Sequence, residues 1–513
     1  VTDLVPFAVA VPILGSLVAF AAGVLRSKSG WAVAVAASVA QLAVAGTLAV
    51  AAFAAPGDRI EYVVGGFEVP YGIELVVDGL SATVLVLVAA VSLGVLAYAR
   101  RAGPRSNPFY ATYLLLVAGL SGMTVTGDLF NMYVFLEITG LAAYALVASG
   151  DRGRSAVAAL KYLLVGTVGA SLFLFGIGYA YITTGTLNMA DLAEKLAANG
   201  GLAATGETAL LTQAAFVLIV VGLFVKVAVF PLHTWQPDAY AGAPDTVSGL
   251  ISALVSTVAA YALLRVVYTV FGTGFLDANP VAHGILVGGA VVSIVVGSLL
   301  AVSQSEVKRM LAYSSVSQFG LIVAAVAIGN GTALVGAAVH LIGHAVMKGG
   351  LFLSAGLVAT ETGARTVEEF DGLVKRSPVG AGAFGVLAVS MVGVPPTIGF
   401  AGKWYIALGA VEAGAWSLLA VIVASTLLTL AYFARLVERM FFREPAPQPA
   451  VQRASTTNAT ENPDPVADGG DARGASLGMH ATVVAAAVLA VALGFVAFGY
   501  GELLQPTIDH LLS

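Results

Sequence analysis

The sequence predicts an all-α, polytopic membrane protein of about fourteen transmembrane helices. Three observations carry that expectation. The 513 residues are 58% hydrophobic and only 10% charged, with a mean hydropathy of +0.92. A water-soluble domain of this length needs far more charge to cover its surface. Apolar runs near the bilayer-spanning length of about 20 residues recur from end to end. The basic residues, finally, cluster in alternate loops. The net charge of −5 gives no basic surface for nucleic acid. There is no cysteine, which excludes thiolate-ligated iron–sulfur clusters, disulfides and cysteine nucleophiles within the chain. No nucleotide or quinone motif is present, so no cofactor and no bond-making chemistry are expected.

Apolar runs between polar breaks place the spans at 4–25, 31–55, 79–99, 109–127, 129–148, 157–183, 211–243, 247–272, 280–303, 308–329, 332–359, 380–411, 415–440 and 479–499. The first run lacks a basic leader and a small-residue cleavage site, so it reads as a retained helix. Two runs, 211–243 and 380–411, are too long for one simple span. Each carries proline, Pro231 and Pro237 in one and Pro395-Pro396 in the other, so both read as broken helices. Interrupted helices at matching places in two halves mark the ion path of a transporter. The division that follows is 1–108, three spans with an external hairpin at 56–78; 109–272, a first five-helix repeat; 280–441, a second, inverted with respect to the first; 442–478, a cytoplasmic linker whose composition predicts disorder; and 479–513, the last span.

Most of the 24 lysine and arginine residues lie in or beside the loops that follow odd-numbered spans. The positive-inside rule makes that side cytoplasmic, with both termini outside the cell membrane. Lys308-Arg309 then reads as a cytoplasmic anchor, and Arg265, near the far end of its span, as a side chain that snorkels to the surface. The sequon at Asn458 falls on the cytoplasmic side and carries no meaning there.

Charge within a span costs at least about 2.5–3.5 kcal/mol at mid-bilayer, so each instance asks for a reason. Glu137 lies mid-span. Lys226 lies five residues before Pro231. His340, His344 and Lys348 step by four along one helix and share a face. Lys403 follows the second break. These residues fit a proton wire. A buried carboxylate beside a buried lysine holds it charged, and withdrawing the carboxylate or bringing up a positive charge loosens its proton. Histidines relay, and waters bridge the gaps, ordered by hydroxyls such as Ser256 and Thr257. Against this stand a static Glu137–Lys226 bridge that only fixes packing, and a metal or haem on His340 and His344. A haem between helices needs facing histidine partners, and the other histidines sit near span ends. His233 reads as a structural partner at the first break, and Asp128 as a helix cap.

Five runs carry a resemblance across nearly the whole chain. They are Gly127-Asp-Leu-Phe-Asn-Met-Tyr-Val-Phe-Leu-Glu137, Lys226-Val-Ala-Val-Phe-Pro-Leu-His-Thr-Trp-Gln-Pro-Asp-Ala-Tyr240, Glu306-Val-Lys-Arg-Met-Leu-Ala-Tyr-Ser-Ser-Val-Ser-Gln318, His340-x3-His344-x3-Lys348 and Gly393-Val-Pro-Pro-x2-Gly-Phe-x-Gly-Lys403. The chain resembles the proton-pumping antiporter-like subunits shared by Mrp-type multisubunit Na+/H+ antiporters, respiratory complex I and membrane-bound hydrogenases. The resemblance implies a Glu137–Lys226 pair, a central relay through His340, His344 and Lys348, and a terminal lysine at Lys403. The family commonly carries a further lysine where this chain has Thr257, so held water or the histidine stripe is expected to substitute. Lysine at 403 and the Asp-Leu-Phe-Asn run look most like the D-type antiporter subunit. That implies partner membrane subunits and exchange of protons for Na+ or another monovalent cation. The alternatives are a subunit of a redox-driven pump and a purely structural subunit.

Overall fold

In a bilayer no water satisfies an open backbone, so apolar chain must close its hydrogen bonds within helices. The computed structural model follows that rule. It describes residues 1–26, 28–55, 57–67, 69–150, 153–198, 207–445 and 474–513. Helices α1 (Phe7–Leu25) and α2 (Gly30–Ala54) lead into a hairpin of β1 (Ile60–Val63) and β2 (Glu74–Val77), followed by α3 (Gly79–Ala102). The first block comprises α4 (Asn107–Val125), α5 (Leu129–Ala148), α6 (Gly153–Thr184), a short α7 (Met189–Ala198), α8 (Glu207–Val227), α9 (Gln236–Gly242) and α10 (Asp245–Arg265). A π-helical stretch, Val266–Phe271, joins α10 to α11 (Gly272–Ala278). The second block comprises α12 (Pro280–Val302), α13 (Val307–Ile328), α14 (Gly331–Thr362), α15 (Leu373–Arg376), α16 (Pro378–Val392), α17 (Ile398–Glu412) and α18 (Trp416–Phe442), and α19 (Leu477–Leu512) closes the chain.

Among the described residues thirteen helices are long and apolar enough to cross a membrane. The fourteenth crossing is the broken pair α16 and α17. The other expected break separates α8 from α9. Each break thus falls on the fourth crossing of its five-span block, as the prolines predicted. Ala228, just past α8, takes a positive φ of 69°, and the Phe230–Pro231 and Pro395–Pro396 peptide bonds are cis.

The hairpin forms within the expected 56–78 segment, with Ile60 opposite Val77 and Val63 opposite Glu74. Leu75 and Val77 pack in one apolar cluster with Val5, Ala8 and Leu48. Residues 510–513 line a cavity together with Arg59 and the 268–275 segment. Both ends of the chain therefore lie on the hairpin side, opposite the basic loops. Helix α7 was not anticipated, although Met189, Leu192 and Leu196 give it a buried stripe. Helix α19 is longer than the expected 479–499. The sequon and most of the 442–478 linker fall outside the described residues.

Helix α14 is buried nearly throughout and packs against α10, α13, α16, α17 and α19. By contrast, α1 and α2 bury only a narrow stripe. The polar stripe of α14, His340, His344 and Lys348, is thereby buried among the helices that pack against α14.

Candidate functional site

The first cluster forms where α8 stops. Lys226 sits in its last turn, and the ammonium donates to Glu137 Oε1 at 3.2 Å and to the Tyr144 hydroxyl at 3.4 Å, both on α5. Gly166 on α6 makes room for that hydroxyl, which a Cβ there would meet at 2.0 Å. The interrupted helix leaves carbonyls without helical donors. The Trp235 indole donates to Val225 O at 2.8 Å, and the Ser256 hydroxyl to Lys226 O at 3.3 Å. Gln236 donates to Ser256 and to Tyr240, each at 3.2 Å. The Phe230 N–H finds Ser293 Oγ at 2.8 Å.

The expected pair therefore meets, with one correction. Lys226 is buried, but the Glu137 side chain is 25% exposed, so this carboxylate sits at the edge of the packed interior and reaches inward to the lysine. Position along a span told nothing of which way the side chain points. His233 stacks on Phe230 at 5.1 Å and lies 5.8 Å from Tyr313, which places it against the break. Asp128 caps α5 by accepting from the Asn131 N–H at 2.6 Å.

The central cluster lies on α14. Lys348 donates to Leu311 O and to Ser314 Oγ, each at 2.8 Å, and Tyr432 donates to the same Ser314 oxygen at 2.8 Å. His340 Nε2 lies 3.1 Å from the Gln318 Oε1 acceptor. His344, packed on Phe319 at 4.4 Å, has neither ring nitrogen bonded to protein, and the buried Thr257 hydroxyl is likewise unpartnered. Buried polar atoms of this kind are where proteins hold internal water.

The third cluster spans the second break. Lys403 lies beyond it, on α17, and reaches back to the carbonyls that end α16, Met391 O at 2.9 Å and Val392 O at 3.0 Å. Gly402 lets α17 press against His340, whose Cβ a methyl there would meet at 2.8 Å. Tyr144, Gln236, Gln318 and Tyr432 were not singled out in the sequence. Only their polarity within apolar spans marked them.

Two readings of basic residues are corrected. Arg265 does not snorkel. Its side chain is 11% exposed, and its guanidinium pairs with Asp78, 5% exposed, and donates to the Tyr261 hydroxyl at 3.0 Å. Lys308 and Arg309 are not simple anchors. Lys308 is buried against Asp245 at 2.6 Å and the Ala243 carbonyl at 3.0 Å. Arg309 shares Asp238 with Lys161, at 2.7 and 2.6 Å. Partners distant in sequence, invisible to a reading of loops, decide both cases.

Two interrupted crossings, each delivering a buried lysine to an intramembrane polar cluster, define a class of polytopic ion-path subunit. Residues 126–429, more than half the chain, match the family described as NADH:quinone oxidoreductase/Mrp antiporter, TM. The chain is 47% identical over 425 residues to NADH-quinone oxidoreductase subunit N of Desulforudis audaxviator, covering 82% of each. It is 34% identical to the D subunit of the Na(+)/H(+) antiporter of Bacillus subtilis, covering 74% of this chain and 76% of that one. A chain of the Mrp complex from Dietzia sp. DQ12-45-1b superposes with a TM-score of 0.85 at 27% identity, covering 100% of this chain and 99% of the other. The protein belongs to this family of antiporter-like, proton-pumping membrane subunits.

Proposed function

We propose that this chain conducts protons within a multisubunit complex of the cell membrane, through Glu137, Lys226, the His340–His344–Lys348 stripe and Lys403. The observation that carries the reading is Lys226, buried at the end of an interrupted helix yet 3.2 Å from a carboxylate on another helix. Such a pair stores a proton whose release depends on the distance between its members. Blocks 109–272 and 280–441 act as corresponding halves, each built around one break, and the basic loops face the cytoplasm. The first form of the complex is a D-type cation/proton antiporter. Its support is the full-length likeness to the Mrp chain and the 34% identity to the D subunit of an antiporter. The second is a redox-driven pump, supported by the 47% identity to a subunit named for NADH-quinone oxidoreductase. There electron transfer in other subunits would drive the same path.

One assay separates these readings: collapse of a pH gradient on cation addition, in everted vesicles carrying the complete complex. Sodium-triggered collapse that vanishes in Lys226→Ala at matched complex levels is the expected result. Acidification driven by NADH or another reductant, without a cation response, would move the chain to the redox pump. Wild-type transport in an assembled Lys226→Ala complex would refute the path itself.

A further inference from the structure

A second polar stripe runs along α10, and beyond Thr257 it has no place in the path above. Thr257, Tyr261 and Arg265 are spaced i, i+4, i+8 and share a face, rising about 12 Å over two turns. At its deep end is the Thr257 hydroxyl, fully buried and without a protein partner. In the middle, the Tyr261 hydroxyl donates to Thr124 O at 2.8 Å and accepts from Arg265 Nε at 3.0 Å. At the top, Arg265 pairs with Asp78. Immediately above lies a cavity of about 430 Å3 on the hairpin side, whose lining includes Tyr261, Arg265, Glu61, Glu74, Asp191 and Glu194. Arg59 adds one positive charge to its wall and Thr269 a hydroxyl. Asp191 is paired with Lys195 at 2.9 Å, and the other three carboxylates still outweigh Arg59 and favour cations in this vestibule. Beside it the backbone departs from α-helical geometry in the Val266–Phe271 π stretch, a feature frequent at functional sites.

We propose that Asp78 and Arg265 form a charge-paired gate between the central relay and this vestibule, and that Thr257 and Tyr261 line a water-borne proton route to it. The inference rests on the proton-path reading. When a proton binds Asp78, an O–H bond forms, the ion pair is lost, and Arg265, still charged, turns toward the vestibule carboxylates. Release of that proton to vestibule water restores the pair. Asp78 also caps α3, accepting from the Leu80 and Ser81 N–H groups at 3.0 and 2.9 Å. Asparagine keeps that cap, so Asp78→Asn with Arg265→Gln removes both charges while retaining hydrogen-bonding capacity.

The test uses the absence of native cysteine from the chain. Thr257→Cys and Thr269→Cys are introduced separately into the full complex. Silver ion, small enough to follow a file of water, is applied from either side in chloride-free medium, and protection of the thiol from later maleimide labelling is read on this chain. Thr269→Cys should react from the hairpin side alone. Thr257→Cys should react slowly until the Asp78→Asn and Arg265→Gln changes are added, then about tenfold faster or more from the hairpin side. An unchanged rate, or a rise only from the basic side, would overturn the gate. If the doubly neutral complex does not assemble, Tyr261→Phe replaces it, and an unaltered transport rate in that variant would overturn the route. Lys226→Ala in the same vesicles keeps the two ideas apart. Normal transport there sinks the proton path as a whole, whereas lost transport with unchanged silver access sinks only the gate.

Discussion

The two interrupted crossings solve one problem in opposite ways. Both leave backbone carbonyls without helical donors inside the bilayer. At the first, side chains other than the lysine supply donors: Trp235 takes Val225 O and Ser256 takes Lys226 O. Lys226 is thereby free to face Glu137 and Tyr144. At the second, Lys403 is itself the donor to both Met391 O and Val392 O. The first lysine answers to a carboxylate on another helix, which can move or change charge. The second answers to backbone, which holds a fixed partial charge. The contrast separates a site tuned from outside the broken helix from one tuned by the break's own geometry.

The largest expected effect breaks the first half of this contrast. Glu137→Ala should abolish transport while leaving the assembled complex at its normal level, because it removes the carboxylate and strands no backbone group. Wild-type rates in vesicles carrying that variant would make the carboxylate dispensable. Next in size is a stability difference. Lys403→Met strands two buried backbone acceptors at about 1–3 kcal/mol each, whereas Lys226→Met strands no backbone carbonyl and leaves the Glu137 carboxylate, 25% exposed, partly solvated. The Lys403 variant should therefore lower the unfolding midpoint of the purified complex by more, and equal losses would erase the contrast. Gly166→Ala should follow, since its methyl collides with the Tyr144 hydroxyl at a cost of about 1–3 kcal/mol for overpacking. Adding Tyr144→Phe should restore part of that stability, and no recovery would show that Tyr144 is not what the glycine accommodates. Smallest is Trp235→Phe, which loses one donor to Val225 O and about 0.5–1.5 kcal/mol. A thermal melt indistinguishable from the parent would mean that the carbonyl finds another donor.

Much of the architecture was legible because bilayer physics writes it in long strokes. Spans follow from apolar length, breaks from Pro231 and Pro395-Pro396, and the hairpin from alternation between charged residues. Lys226, Lys348 and Lys403 announced themselves by being charged where charge is costly. What stayed hidden depends on contact across the chain. Nothing near Arg265 points to Asp78, and a span-end arginine without a visible partner reads as a snorkelling one. Lys308 and Arg309 misled in the same way, their partners being Asp245 and Asp238. Tyr144 lies in an apolar run that tolerates tyrosine anywhere, so its role follows only from the approach of α5, α6 and α8. The half-open setting of Glu137 needed the packing of whole helices. By contrast α7 carried its signal openly, in the spacing of Met189, Leu192 and Leu196.

Gly494 of α19 touches the second break so closely that a Cβ would stand 1.8 Å from Pro396 O and 2.6 Å from the Thr397 carbonyl carbon. The helix that walls in this break is thus synthesised only after the break itself, on the far side of the 442–478 linker. During synthesis the first break can acquire all its neighbours while the second waits with one flank bare. A chain stalled before residue 477 would leave the Pro396 and Thr397 backbone without the helix that covers it.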